Sequence, residues 1–201
     1  LTLPLEVRKD RLKLMKPILE ETFIIDKKLM EDHRDRMAAS IYARSWTRHN
    51  RTLDEVKKSV NLTAVEFAVA QYPGWMMNPM DYESKDKSTW AFDCLSDTGL
   101  TMECKRWKRN YGMLNFQKKN FETFLDHAEE WVDFLFSAEV EEDDSIAVVR
   151  PRLICDAPSF HSYIGPSRFD NFKTGDEYVY NDLKAVRDGL AYTKKNPKKK
   201  R

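Results

Sequence analysis

The chain has 201 residues, 41% apolar and 33% charged, which suits one domain of ordinary size with a hydrophobic core. Its three cysteines show no paired Cys-x-x-Cys spacing, which argues against a disulfide scaffold or a structural zinc site and for a reducing, intracellular setting, cytoplasmic with a nuclear one left open. No apolar run approaches the ~18 residues of a membrane span, no signal peptide is visible, and the formal charge of +1 excludes a uniformly basic or acidic surface.

The elements follow in chain order. Leu12, Met15, Ile18, Leu19, Phe23 and Ile24 recur at helical spacing, with Pro17 expected to start or kink a helix. Residues 26–49 carry Met30, Met37, Ile41 and Trp46 beside Arg34, Arg36, Arg44 and Arg48, a second helical pattern whose apolar side would pack against a core or a second subunit. Thr52 and Glu55 have the spacing of a capping box, and Asn61 can cap the helix after it. Residues 52–72 therefore also scan as a helix-turn-helix, which would make the protein a DNA-binding regulator without catalysis. Against that alternative, Val65, Phe67, Ala68, Val69 and Ala70 leave the second helix few polar side chains with which to read bases.

A β-hairpin is predicted next. Residues 91–95 form the first strand, Ser96-Asp97-Thr98-Gly99 the turn and residues 100–107 the return, with Gly99 at the left-handed third position of a three-residue loop. Residue 96 then opposes 100 and Asp93 opposes Glu103. Period-2 alternation sets Asp93, Glu103 and Lys105 on one face and Phe92, Cys94, Leu100, Met102 and Cys104 on the other. Downstream, residues 116–130 read as a helix, 131–136 as a strand and 139–144 as an acidic loop. Strands at 145–149 and 152–155 are interrupted by Pro151, implying an edge or a bulge. After a loop region marked by Pro158, Gly165, Pro166 and Gly175, residues 177–188 read as a final helix ended by Gly189.

The hairpin face suits metal-assisted hydrolysis of a phosphodiester. Two adjacent carboxylates raise each other's pKa and are costly unless a cation lies between them. Mg²⁺ takes one or two carboxylates from a protein and fills its remaining positions with water and phosphate oxygens. Lys105 is placed to hold or deprotonate the attacking water and to offset charge on the phosphorane. The bland alternative is a solvated hairpin face, and acid-x-Lys triplets also occur at Glu83-Ser84-Lys85, Asp26-Lys27-Lys28 and Asp182-Leu183-Lys184. None of those follows a suitably spaced strand Asp.

The combination resembles the PD-(D/E)xK nuclease superfamily, in which a helix with an acidic residue precedes a hairpin bearing Asp and Glu-x-Lys, and a helix and a further strand follow. Glu66, the one charged residue in 61–72, matches the helical carboxylate, and the likeness spans 61 to about 155. Phe92 stands where the motif's proline would be, and Gln117 with Phe121 is similar to a Gln-x-x-x-Tyr helix of some family exonucleases. The resemblance implies an α/β fold with a restriction-endonuclease-like core, a central mixed sheet between helices, plus an added N-terminal helical region. It further implies a Mg²⁺-dependent DNA endonuclease, with Mn²⁺ able to substitute. Catalytic residues would be Glu66, Asp93, Glu103 and Lys105; metal ligands Asp93, Glu103, the Cys104 backbone carbonyl and Glu66. A symmetric homodimer is expected by the same analogy.

Charge segregates around this centre. Residues 120–149 contain ten Asp or Glu and no Lys or Arg, whereas Lys105-Arg106-Trp107-Lys108-Arg109 is basic. Arg106, Lys108, Arg109, Gln117, Lys118 and Lys119 are the expected DNA contacts, with Trp107 and Tyr111 interleaved. The domain organisation expected is a helical region at 1–50, a nuclease domain at 51–193 and a basic tail at 194–201.

Overall fold

The computed structural model describes residues 3–44, 52–60, 63–78, 91–107, 115–128, 130–160, 164–166, 177–180 and 182–194. The N-terminal segment opens with helix α1 (Leu5–Met15) and a 3₁₀ turn (Lys16–Glu20) that Pro17 starts, its missing N–H costing nothing in a first turn. Strand β1 (Phe23–Asp26) follows, then α2 (Lys27–Arg44). Asp26 begins α2, its Oδ1 accepting from the Lys28 N–H at 2.8 Å. The expectation of a purely helical N-terminus is thus corrected: Phe23 and Ile25 turn inward and Ile24 outward, a period of two, because the segment lies along a strand more than a hundred residues away.

Helix α3 (Leu53–Ser59) carries the predicted capping box, with the Glu55 N–H donating to Thr52 Oγ1 at 3.2 Å and the Thr52 N–H donating back to Glu55 Oε2. Helix α4 (Ala64–Gln71) leads to β2 (Trp75–Met77), β3 (Cys94–Ser96) and β4 (Thr101–Arg106). Then come β5 (Asn115–Gln117), α5 (Lys118–Ala128), β6 (Phe134–Glu142) and β7 (Ile146–Asp156). The last elements are β8 (Ile164–Pro166), β9 (Glu177–Tyr180), α6 (Asp182–Arg187) and β10 (Ala191–Thr193).

The architecture is α/β, a mixed and curled seven-stranded sheet flanked by helices. Its order is β1-β7-β6-β4-β3-β2, with β10 joining β7 beyond the end of β1. Pairing is antiparallel except between β4 and β6, which the α5 crossover allows to run parallel. A small antiparallel sheet, β5-β9-β8, stands apart from it. Alternation along the central strands divides the core in two. Phe134, Phe136, Met102, Cys94 and Cys104 face Leu12, Ile18, Val65 and Val69 from α1, the 3₁₀ turn and α4. Leu135, Leu153 and Cys155 face Phe124, Ala128 and Ala185 from α5 and α6.

Several boundaries move. Pro151 does not end a strand. It sits within one long β7, opposite Ala138 at a register shift, and β7's other edge is paired by β1 only up to Val149 and by β10 only from Leu153, so the missing N–H falls in a gap. The expected acidic loop at 139–144 is largely the end of β6, where Glu139 is buried and paired with Arg152 at 3.0 Å. The expected final helix over 177–188 is β9 followed by α6, although Gly189 does close it with a φ of +73°.

Candidate active site

The β3–β4 hairpin forms as its turn chemistry requires. The Gly99 N–H donates to the Ser96 carbonyl at 3.0 Å, the Ser96 N–H to the Leu100 carbonyl at 2.8 Å, and Gly99 has φ +79°. Ser96 Oγ accepts the Leu100 N–H at 2.8 Å and locks the loop. Cys94 pairs with Met102 and Leu95 with Thr101, the predicted register, and the ladder ends at Cys94.

At Asp93 the chain leaves the regular ladder. Its own N–H donates to the Met102 carbonyl at 2.9 Å, and its Oδ2 accepts the Cys104 N–H at 2.7 Å, so a side chain stands in for a backbone partner. The Asn78 N–H donates to the Asp93 carbonyl at 2.9 Å and Asn78 Nδ2 to the Phe92 carbonyl at 2.8 Å, which pins the same bend from the end of β2. This bend corrects two expectations: the first strand begins at Cys94 instead of residue 91, and Phe92 packs against the cluster that includes Trp107 and Phe124, separate from the one that holds Cys94. Asn78 was invisible in the sequence, lying in no motif.

Glu103 and Lys105 share a β4 face and form an ion pair, while Cys104 between them is buried in the opposite core with its sulfur 3.9 Å from that of Cys94. Burial, then the neighbouring Cys94 thiol, pushes the Cys104 thiol well above its usual range, so it is an inert core residue on its sulfur side. Its carbonyl lies in β4 between the two site residues. Glu66 is in the first turn of α4, 4% exposed, and its carboxyl accepts from Thr63 Oγ1 at 3.0 Å. Thr63 was missed, though its three-residue spacing to Glu66 is that of a capping pair.

Electrostatics joins the four predicted residues. Burial pushes the Asp93 carboxyl well above the ordinary range, and the charges of Glu103 and Glu66 add to it; Lys105 and the Cys104 N–H oppose. Burial raises Glu66 to about 7 against the pull of Thr63 and Lys105. Burial alone would lower the Lys105 pKa, but Glu103 and Asp93 outweigh it and hold the ammonium protonated. Three carboxyls thus share one lysine. A third of the Lys105 side chain is open to solvent, so the centre has an accessible side.

The donor set fits a hard divalent cation. It offers oxygens only, its carboxyls are desolvated and under-compensated, and Asp93 Oδ1 has no hydrogen bond or ion pair among the described residues. Among the described residues no three or more His, Cys, Asp or Glu side chains gather around one point, so Asp93 and Glu103 would hold an ion as a pair, with Glu66 beyond them.

The expected DNA contacts scatter. Arg106 lies on the opposite β4 face from Lys105, donating to Glu142 Oε1 at 2.9 Å and to the Val140 carbonyl at 3.0 Å. Gln117 ends β5 instead of sitting on a helix, Lys118 and Lys119 open α5, and Lys108, Arg109 and most of the basic tail lie outside the described residues. Among the described residues no helix is long and apolar enough to cross a membrane. Comparison with family models, curated proteins and solved structures finds no match.

Proposed function

We propose that this protein is a Mg²⁺-dependent deoxyribonuclease, an endonuclease built on a PD-(D/E)xK, restriction-endonuclease-like core. The observation that carries the reading is that Asp93 Oδ2 accepts the Cys104 N–H of β4 at 2.7 Å within the electrostatic reach of Glu103, Glu66 and Lys105, while Cys94, Met102 and Cys104 are buried. Element order supports it: a helix with a buried carboxyl, three antiparallel strands, then, after the short β5 of the small sheet, a helix and a strand parallel to β4.

Asp93 and Glu103 would ligate Mg²⁺, with the Cys104 carbonyl and Glu66 completing or orienting the set; Mn²⁺ would substitute. The bound ion would polarise the phosphate and lower the pKa of a water. Lys105, a firm ammonium here, would orient that water and offset charge developing on the phosphate; accepting a proton would require its pKa to fall, which its carboxylate neighbours oppose. Glu66, raised to about 7 by burial, would be held ionised at lower pH when a cation shares the site. Cutting both strands of a duplex with one centre per chain favours a symmetric homodimer, for which exposed Leu14, Ile24 and Leu29 in the N-terminal segment are the candidate contacts. The helix-turn-helix alternative fares worse, because α4 buries Ala64, Val65, Glu66, Ala68 and Val69 and keeps no free face for a DNA groove.

The test is incubation of supercoiled plasmid and short duplexes with the protein in Mg²⁺, Mn²⁺, Ca²⁺ or EDTA. Nicking or linearisation in Mg²⁺ and Mn²⁺, and none in EDTA, is expected. DNA binding without cleavage under every metal condition would refute the enzyme.

A further inference from the structure

Behind the first turn of α4, on the sheet face opposite Lys105, lies a groove of about 410 Å³. Its walls come from α2, α4 and the ends of β4 and β6, and they adjoin the candidate centre residue by residue. Val65 precedes Glu66, Arg106 follows Lys105, and Thr63, which lines the groove, donates to the Glu66 carboxyl.

The lining is polar and unevenly compensated. Lys27, Arg34 and Arg106 face Glu31 and Glu142, a formal charge of +1. Glu142 is divided between Arg106 at 2.9 Å and Lys27 at 3.8 Å. Arg34 has no ion pair or hydrogen bond among the described residues. Met30 and Val140 supply apolar surface between the charges. A site with one uncompensated positive charge, a guanidinium fork with open donors and an apolar surface beside them matches one backbone phosphodiester and its sugar. The volume admits a nucleotide-sized group.

We propose that this groove seats a DNA phosphodiester flanking the one held at Asp93 and Glu103, so that the strand wraps the first turn of α4. The proposal rests on the nuclease reading for the position of the scissile phosphate. Arg34, from the N-terminal segment, is thereby a DNA-binding residue, and Arg106 acts through this groove instead of beside Lys105.

The experiment is fluorescence anisotropy of a labelled 20-base-pair duplex in EDTA, over a salt series, for wild type, Arg34→Gln, Arg106→Gln and the surface control Lys9→Gln, each checked by circular dichroism. Both groove variants should bind several-fold more weakly, and each should reduce the salt slope by up to about 0.9, the value for loss of the one phosphate contact they share. Lys9→Gln should match wild type. Should Arg34→Gln not fold, Arg106→Gln, on an exposed strand end, still decides. Groove variants that match Lys9→Gln in affinity and slope, or a wild type that does not bind, would overturn the proposal. Because the readout needs no cleavage, a protein that binds in this pattern but never cuts would sink the nuclease reading and leave the groove standing.

Discussion

The Cys104 N–H donates to Asp93 Oδ2 at 2.7 Å, so the strand that carries Glu103 and Lys105 holds the facing carboxylate by its own backbone. The bond needs an acceptor oxygen but not a charge. Asp93→Asn should therefore keep the hairpin and, at pH 8 without metal, be at least as stable as wild type, since a desolvated carboxylate no longer has to ionise. Its cleavage should be lost. Thermal melts with a cleavage assay check this, and wild-type activity in Asp93→Asn would remove Asp93 from the site.

Glu66 and Asp93 both have folded pKa values above their unfolded ones, so the folded state binds more protons and metal-free stability falls as pH rises. For Glu66 the contribution is fully present below its ordinary 4.5 and is lost as pH climbs through about 7, a difference on the order of 3 kcal/mol. Urea denaturation in EDTA at pH 5 and pH 8 should show that decline, and Glu66→Gln should flatten it. A wild type more stable at pH 8 than at pH 5 would contradict the buried-carboxyl picture.

Mg²⁺ should recover that lost stability at pH 8, because an ion that binds only the folded site adds its binding free energy to folding. Wild type should melt at a higher temperature in millimolar Mg²⁺ than in EDTA, and Asp93→Asn and Glu103→Gln should not respond. Equal shifts in all three proteins would place the ion elsewhere.

Lys105 is held protonated by Glu103 and Asp93, which favours a charge role over proton transfer. Lys105→Arg should retain much of the single-turnover rate, whereas Lys105→Met should fall at least roughly 10²-fold, in the range seen when an electrostatic donor is removed. A dead Lys105→Arg with intact metal binding would instead indicate a proton acceptor, since a guanidinium does not deprotonate near neutral pH.

Glu139 and Arg152 are paired at 3.0 Å and nearly excluded from solvent, with Arg152 brought to Glu139 at the register shift beside Pro151. Glu139→Gln or Arg152→Met should each cost about 3–5 kcal/mol, because the partner's charge is left buried and alone. A loss below about 1 kcal/mol by urea denaturation would show that water reaches the pair.

What the sequence revealed was local. Gly99 and the alternation around it fixed the register of Cys94 against Met102, and Thr52 with Glu55 marked α3, because short-range bonds decide both. Phe92 was misplaced because the Asp93 side chain replaces a ladder bond, which alternation cannot foresee. Strand β1 was read as helix since its partner, β7, is far along the chain, and Glu139 read as a loop acid because its buried partner Arg152 lies on another strand. The groove around Arg34 joins four separate segments and leaves no trace in any one of them.

Whether Asp93 and Glu103 form a hydrolytic metal centre is decided by single-turnover cleavage of a labelled duplex in Mg²⁺ by wild type, Asp93→Ala and Glu103→Ala, with binding measured on the same samples. The arrangement predicts that wild type cuts, that both variants lose cleavage, and that both bind DNA as tightly as wild type or more so, since removing a carboxylate relieves repulsion of the phosphate. Undiminished cleavage by either variant would contradict it.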